Sequence, residues 1–334
     1  MILRTLAGDP MLRILVGAIL LAIVLPVEGE ARTAAAAIAD GAIFVLFLLN
    51  GMRVARSDMI AGFRHWRFFG PLVLWVFGAM AILGAGAAGV AEGMVPPLLA
   101  TGFLYLGVLP STVQSATSYS TLAGGNVALS VIAAAMLNIL GVIVSVPLFV
   151  ALGGSGEGAV SGATALKIFL VLILPFAIGQ LVQTRTRTFV AAQRDRIVWM
   201  DRLIIGLAVY VAVSGAVVQG IGSRVGAADW AAIGVLVLAM LTIAHAGAWG
   251  TGRMLRLDRA ERISFMFAGA QKSAAVGVPL AAVLFSSDAA GFVVVPLLLY
   301  HLLQLVLAAP LSSRLARPRD DAGSSAPTTT AKER

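Results

Sequence analysis

Stretches of about twenty mainly apolar residues recur along the whole chain, separated by short polar or basic segments. A helix rising 1.5 Å per residue crosses the ~30 Å hydrocarbon core of a bilayer in about 20 residues. The pattern therefore predicts ten spans, near 11–27, 33–51, 69–90, 95–122, 126–151, 164–184, 199–221, 228–250, 260–284 and 290–312. Two of them are interrupted. In the fourth, Val95–Leu109 is apolar but too short to cross, and Pro110 then removes a backbone donor and disfavours helix at Leu109. Residues 110–121 carry Ser111, Thr112, Gln114, Ser115, Thr117, Ser118, Ser120 and Thr121. In the ninth, Lys272 stands in Phe265–Pro279, a stretch with no other charge. An ammonium at bilayer depth costs about 2.5–3.5 kcal/mol on insertion scales, so such a residue faces a bundle interior and serves a function there. Unwound backbone at that depth survives only when buried in protein or lining a cavity. The simpler alternative is a kinked helix whose hydroxyls bond back to their own turn.

Composition agrees with a polytopic membrane protein: 59% of residues are hydrophobic, 12% charged, and the mean hydropathy is +0.95. The net charge of +8 is not a nucleic-acid signal, because of where it falls. Twenty of the 24 basic residues lie before span one, between spans two and three, six and seven, and eight and nine, or after span ten. Only Arg32, Lys167 and Arg224 fall on the opposite side, and Lys272 lies within the membrane. The positive-inside rule then predicts both termini in the cytoplasm and an even number of spans in the inner membrane. Arg4 and Arg13 ahead of Ile14–Pro26 mimic a signal peptide, but no small-residue cleavage site follows and a retained span is expected. The tail from 315 to 334 is polar and expected to be disordered. The chain has no cysteine and no paired metal-ligand spacing, so no metal or cofactor is expected.

The chain also repeats itself. Val113-Gln-Ser-Ala116 lies over Gln271-Lys-Ser-Ala274 at an offset of 158, as Leu122-Ala123 does over Leu280-Ala281. Ser145-Val-Pro-Leu148 then lies over Ala308-Ala-Pro-Leu311, and Asn138 meets His301. An odd number of spans per half, five, inverts the second half relative to the first, as in many secondary transporters. The expected transmembrane domain is 1–314, with repeats over about 11–151 and 164–312. Two broken helices, spans four and nine, would cross at mid-membrane.

Tyr119-Ser-Thr-Leu-Ala-Gly-Gly-Asn-Val-Ala-Leu-Ser130 resembles a signature of the bile acid:sodium symporter family. The resemblance extends over nearly the whole chain. It implies a core domain of spans 3–5 and 8–10, a panel domain of spans 1, 2, 6 and 7, substrate between them, and alternating access. The departures concern the ion sites. Sodium-coupled members carry Ser-Asn before the signature, where Ala116-Thr117 stands here. Their fifth-span Ser is matched by Ser130, but the Thr one turn later is Ala134. Their ninth-span Glu-x-x-x-Gln-Asn is matched by Phe267-Ala-Gly-Ala-Gln-Lys272, which loses the carboxylate and gains an ammonium. Leu-Pro-Ser-Thr-Val-Gln-Ser together with Gln-Lys-Ser resembles the family's divergent sodium-bile-acid-symporter-like branch.

The expected site is therefore Gln114, Ser115, Thr117, Ser130, Gln271, Lys272 and Ser273, with Asp40, Asn138 and His301 as further candidates. Hydroxyls of Thr117 or Ser130, Gln271 or unwound carbonyls are the expected partners of the ammonium. Asp40, a carboxylate inside span two, is either a partner or proton carrier or a residue at the outer headgroups. Beyond the lipid bilayer, the partner implied is a small organic anion, with no nucleic acid. The coupling ion is left open between sodium and proton; the lost carboxylate points to transport without sodium, or coupled to protons through a lysine able to release one. The alternatives are a cation/proton antiporter, which would want a carboxylate at the crossing, and a regulatory protein that does not transport. No catalytic constellation is present, so an enzyme is not expected.

Overall fold

The computed structural model describes residues 10–55, 64–154 and 162–316. Arg4, Arg56, most of the glycine-rich 153–158 loop and the polar tail from 317 lie outside these. The described residues are helical, with no named strand. In chain order the helices are α1 Pro10–Val24, α2 Gly29–Arg53, α3 Trp66–Ala91, α4 Pro97–Val108, α5 Gln114–Leu122, α6 Val127–Ala151 and α7 Gly162–Ala192. There follow α8 Arg194–Val218, α9 Ile221–Arg224, α10 Ala227–Met254, α11 Arg259–Ala270, α12 Ala274–Leu284, α13 Ser287–Val293 and α14 Val295–Leu315. Eight elements are long and apolar enough to cross a membrane: α2, α3, α6, α7, α8, α10, and the composite stretches Arg259–Leu284 and Ser287–Leu315. α1 and α4 are apolar but shorter. The protein is a multi-pass helical membrane protein.

Local chemistry sets the helix starts. Asn126 accepts from Leu129 N at 3.1 Å to open α6, and Ser286 accepts from Ala289 N to open α13. Asp258 and Glu261 bond reciprocally at the start of α11, a capping box that satisfies two donors with two side chains. α3 and α7 each contain one π turn, at Trp75–Ala79 and Phe169–Ile173. α7 and α8 run past their expected limits and are separated by Gln193 alone, so Arg185, Arg187, Arg194 and Arg196 stand on helices rather than in a loop. Hydropathy ends a span at the membrane edge, whereas the helix continues into water because Gln, Arg and Ala favour it.

α1, α2, α7 and α8 pack together, and α3 packs along α4. Bare backbone makes the closest approaches. A Cβ on Gly107 would lie 2.7 Å from the Met80 carbonyl and one on Gly51 2.3 Å from the Phe176 carbonyl. On the other side of the first break, a Cβ on Gly141 would lie 2.4 Å from the Pro110 ring. α5 and α11 find their partners in each other and in α3, α6, α10 and α14, while α12 and α13 pack against α8. Three ion pairs form among the described residues: Arg32–Asp288 at 2.6 Å, Lys167–Asp40 at 2.8 Å, and Arg53–Asp201.

Candidate functional site

The chain unwinds at 109–113 between α4 and α5, and at 271–273 between α11 and α12. The two breaks touch: Ser273 N donates to the Pro110 carbonyl at 3.0 Å, and Ser115 Oγ donates to Gln271 Oε1. Pro110 is why the first break exists, because it offers no N–H to continue the helix. Its freed carbonyls then need donors from elsewhere, and those from Leu106 to Ser111 find them. Leu106 O accepts from Leu109 N, Val108 O from Ser145 Oγ at 2.8 Å, Pro110 O from Ser273 N, and Ser111 O from Asn138 Nδ2 at 3.1 Å. Within that run, Gly107 O and Leu109 O accept from the Lys272 ammonium at 2.8 and 2.7 Å.

The third proton of Lys272 goes to Val76 O at 3.3 Å. That carbonyl is available because of the π turn in α3. Met80 N donates to Trp75 O, one residue beyond α spacing, and leaves Val76 O without the partner an α-helix would give it. Lys272 is fully buried, and all three of its donors end on main-chain oxygens. Two of these lie at the C-terminal end of α4, where the helix dipole favours a cation. Among the described residues no carboxylate lies within ion-pairing distance of it.

The lysine's own main chain is held as tightly. Lys272 N donates to Gln304 Oε1 at 2.8 Å, and Lys272 O accepts from Gln304 Nε2 at 3.0 Å, with His301 Nδ1 at 3.3 Å. Tyr300 Oη donates to Ala270 O at 2.6 Å and Tyr105 Oη to Gly277 O, so a tyrosine pins each side of the second break. Ser273 caps α12 by accepting from Val276 N at 3.2 Å. Tyr119 stacks on Phe267, joining α5 to α11.

The expected site residues separate into groups. Gln271, Lys272, Ser273 and Ser115 meet at the crossing, and Asn138 and His301 support its backbone. Gln114 opens α5 and is exposed. The hydroxyls expected to hold the ammonium do not. Ser130 Oγ donates to Ser120 Oγ at 2.8 Å and lies near Asn126 O at 3.0 Å, in a separate knot with Ser264. Its place in the signature reflects the bracing of α5, α6 and α11, because Gly125 and Asn126 turn the chain there. Thr117 Oγ1 is buried without a partner, as are Ser111 Oγ and Gln271 Nε2. Asp40 is paired with Lys167 between α2 and α7 and plays no part at the crossing. A cavity of about 280 Å³ lies away from the crossing, between the ends of α3 and α6 and the start of α4, with Glu92 and Thr101 as the polar side chains of its wall. The Val76 carbonyl, Ser145, Tyr105 and Tyr300 were not expected at the site. Pro71, one turn ahead of Trp75, is the sequence signal nearest to the π turn.

A buried lysine held by broken-helix carbonyls in an all-helical bundle is the kind of centre that membrane transport proteins build. The chain belongs to the SBF-like CPA transporter family (DUF4137), whose model matches residues 9–317. It is 37% identical over 314 residues to the putative symporter YfeH of Escherichia coli K12, covering 92% of this chain and 93% of that one. It is 36% identical over 313 residues to the uncharacterized protein PA2026 of Pseudomonas aeruginosa, with 92% and 93% covered. The mouse sodium/bile acid cotransporter 7 is 19% identical over 289 residues, with 81% and 80% covered.

Proposed function

We propose that this protein is a secondary transporter of the inner membrane that moves a small organic anion by alternating access. In this reading ten spans form a five-plus-five inverted repeat with both termini in the cytoplasm. α1, α2, α7 and α8 are the panel, the remaining helices are the core, and the tail from 315 lies outside the transport domain. The repeat is supported by the breaks themselves. α5 restarts at Gln114 and α12 at Ala274, within two residues of positions matched by the 158-residue offset.

The observation that carries the proposal is the Lys272 ammonium on Gly107, Leu109 and Val76 carbonyls. Main-chain oxygens of unwound helices are the ligands a sodium site at such a crossing would use. Here a tethered cation already occupies them, so transport proceeds without sodium. If Lys272 keeps its proton, the protein is a facilitator. If it releases one during the cycle, protons drive the anion. Cation/proton exchange is disfavoured, because among the described residues no carboxylate accompanies Lys272 to receive an incoming cation.

The test is uptake and charge movement in reconstituted proteoliposomes, screened with a panel of organic anions in sodium, potassium or choline, with and without a pH gradient. Anion-dependent signals equal in all three salts support the proposal. Signals that vanish in choline and return with sodium refute sodium independence. Uptake of cations with no organic anion present would favour the exchanger.

A further inference from the structure

Of the three ion pairs, two join members of the same group of helices: Lys167–Asp40 links α7 to α2, and Arg53–Asp201 links α2 to α8. The third, Arg32–Asp288, runs from the first turn of α2 to the first turn of α13 and so bridges the two groups. The helices α2, α7 and α8 lean on α12 and α13 beyond the crossing, on the side where α2 begins. α5 and α11, which hold the opposite side of the crossing, take their packing from within their own group. Among the described residues the bundle is thus sealed between groups on the Arg32 side, and no comparable packing joins α5 or α11 to α1, α2, α7 or α8.

The seal is built to part. Gly215 and Gly291 bring backbone to backbone: a Cβ on Gly215 would lie 2.2 Å from Ser287 O and one on Gly291 2.1 Å from Ala212 O. Flat glycine faces make close contact without interlocking side chains. Arg32 is only 15% exposed while Asp288 is 55% exposed, so water reaches one partner. The contact is a charge pair and not an aligned hydrogen bond, since Arg32 Nε and Nη2 donate to nothing. A cation in the first turn of α2 also stands at the unfavourable end of that helix's dipole. Solvent-reached pairs of this kind hold weakly.

We propose that Arg32 and Asp288 are the outer gate of the pathway, closed in this structure and opened when α13 separates from α2 and α8. This rests on the transport reading above, and the test is chosen to need no substrate. The chain has no cysteine, so a single Gln114→Cys reports access to the crossing. In oriented membranes a membrane-impermeant maleimide should label it readily from the cytoplasmic side and slowly from the outer side. Adding Asp288→Asn or Arg32→Gln should speed outer labelling about tenfold. The exchanged pair Arg32→Glu with Asp288→Arg should restore the slow rate, which loss of packing alone would not do. Lys167→Gln, which splits a pair inside one group, should leave the rate unchanged. Equal outer rates with the pair intact, split or exchanged would overturn the gate, as would an exchanged pair as fast as the split one. Variants that label as expected while no organic anion is transported would leave the gate standing and remove the substrate reading.

Discussion

An ammonium buried without a counter-ion needs its three protons met by oxygen, and Lys272 finds carbonyls that the broken and bulged helices had already left free. The dependence is mutual, because those carbonyls have no other donor. Lys272→Met should therefore lower stability by roughly 2–5 kcal/mol, the cost of leaving two or three buried carbonyls unpaired, and should abolish transport. Lys272→Arg should fail as well, since a planar fork cannot replace a compact ammonium on three converging oxygens. Thermal melting of the purified variants and proteoliposome uptake measure the two effects. Wild-type uptake by the arginine variant would remove the lysine from the mechanism. Asn138→Ala, which strips one donor from Ser111 O, should cost about 1 kcal/mol and no more. The lysine was legible in the sequence because a charge in an apolar run cannot hide. Unwound carbonyls were among its expected partners, but which ones were not legible, because a carbonyl belongs to every residue and leaves no mark in the sequence. Thr117 and Ser130 suggested themselves as hydroxyls near the right place, yet Ser130 is occupied by Ser120 and the Asn126 carbonyl.

At the level of elements, the site depends on how closely α3 approaches α4. Gly107 and Gly84 let the two main chains meet, and that contact sets Val76 O and Gly107 O on one ammonium. Gly107→Ala would place a methyl against the Met80 carbonyl and the Gly84 Cα, neither of which is a flexible side-chain end. We expect a loss of about 1–3 kcal/mol and impaired transport. Gly86→Ala, with nothing within 4 Å, serves as the control and should melt as wild type. The first break could be read from Pro110 and the polar run after it, because a proline followed by clustered hydroxyls does not suit an unbroken apolar span, and the second from Lys272 and the repeat that matches it to the first. The π turn could not. It differs from an α turn by one residue of hydrogen-bond register, and the Trp75–Ala79 segment is apolar like its surroundings. The overrun of α7 and α8 was missed for a related reason: hydropathy marks where the bilayer ends and not where the helix does.

For the whole molecule, the count of spans and the sidedness rest on charge. Among the described residues eight stretches are long and apolar enough to cross, and ten is reached if α1 also spans and α4 is completed by α5. By the positive-inside rule the basic residues predict both termini in the cytoplasm, so a reporter fused after Arg334 should be active only as a cytoplasmic enzyme. Activity confined to the periplasm would refute both the count and the orientation. Family membership was legible from the signature around Asn126, whereas the substrate left no trace in either sequence or fold. The organic anion is what the family resemblance implies and is proposed on that ground, not on a shaped pocket.

The proposed mechanism centres on Lys272 taking the place that a sodium ion would otherwise hold. That role is tested most directly by melting the purified protein in sodium chloride and in potassium chloride at equal ionic strength. A ligand that binds the native state raises its stability by about 2.7 kcal/mol at a hundredfold excess over Kd, and one that does not bind leaves it unmoved. Melting curves should superimpose across millimolar to molar sodium, and should do so again for Lys272→Arg. A sodium-specific rise in melting temperature that saturates in the millimolar range would show a working sodium site in the native protein and contradict the role assigned to Lys272.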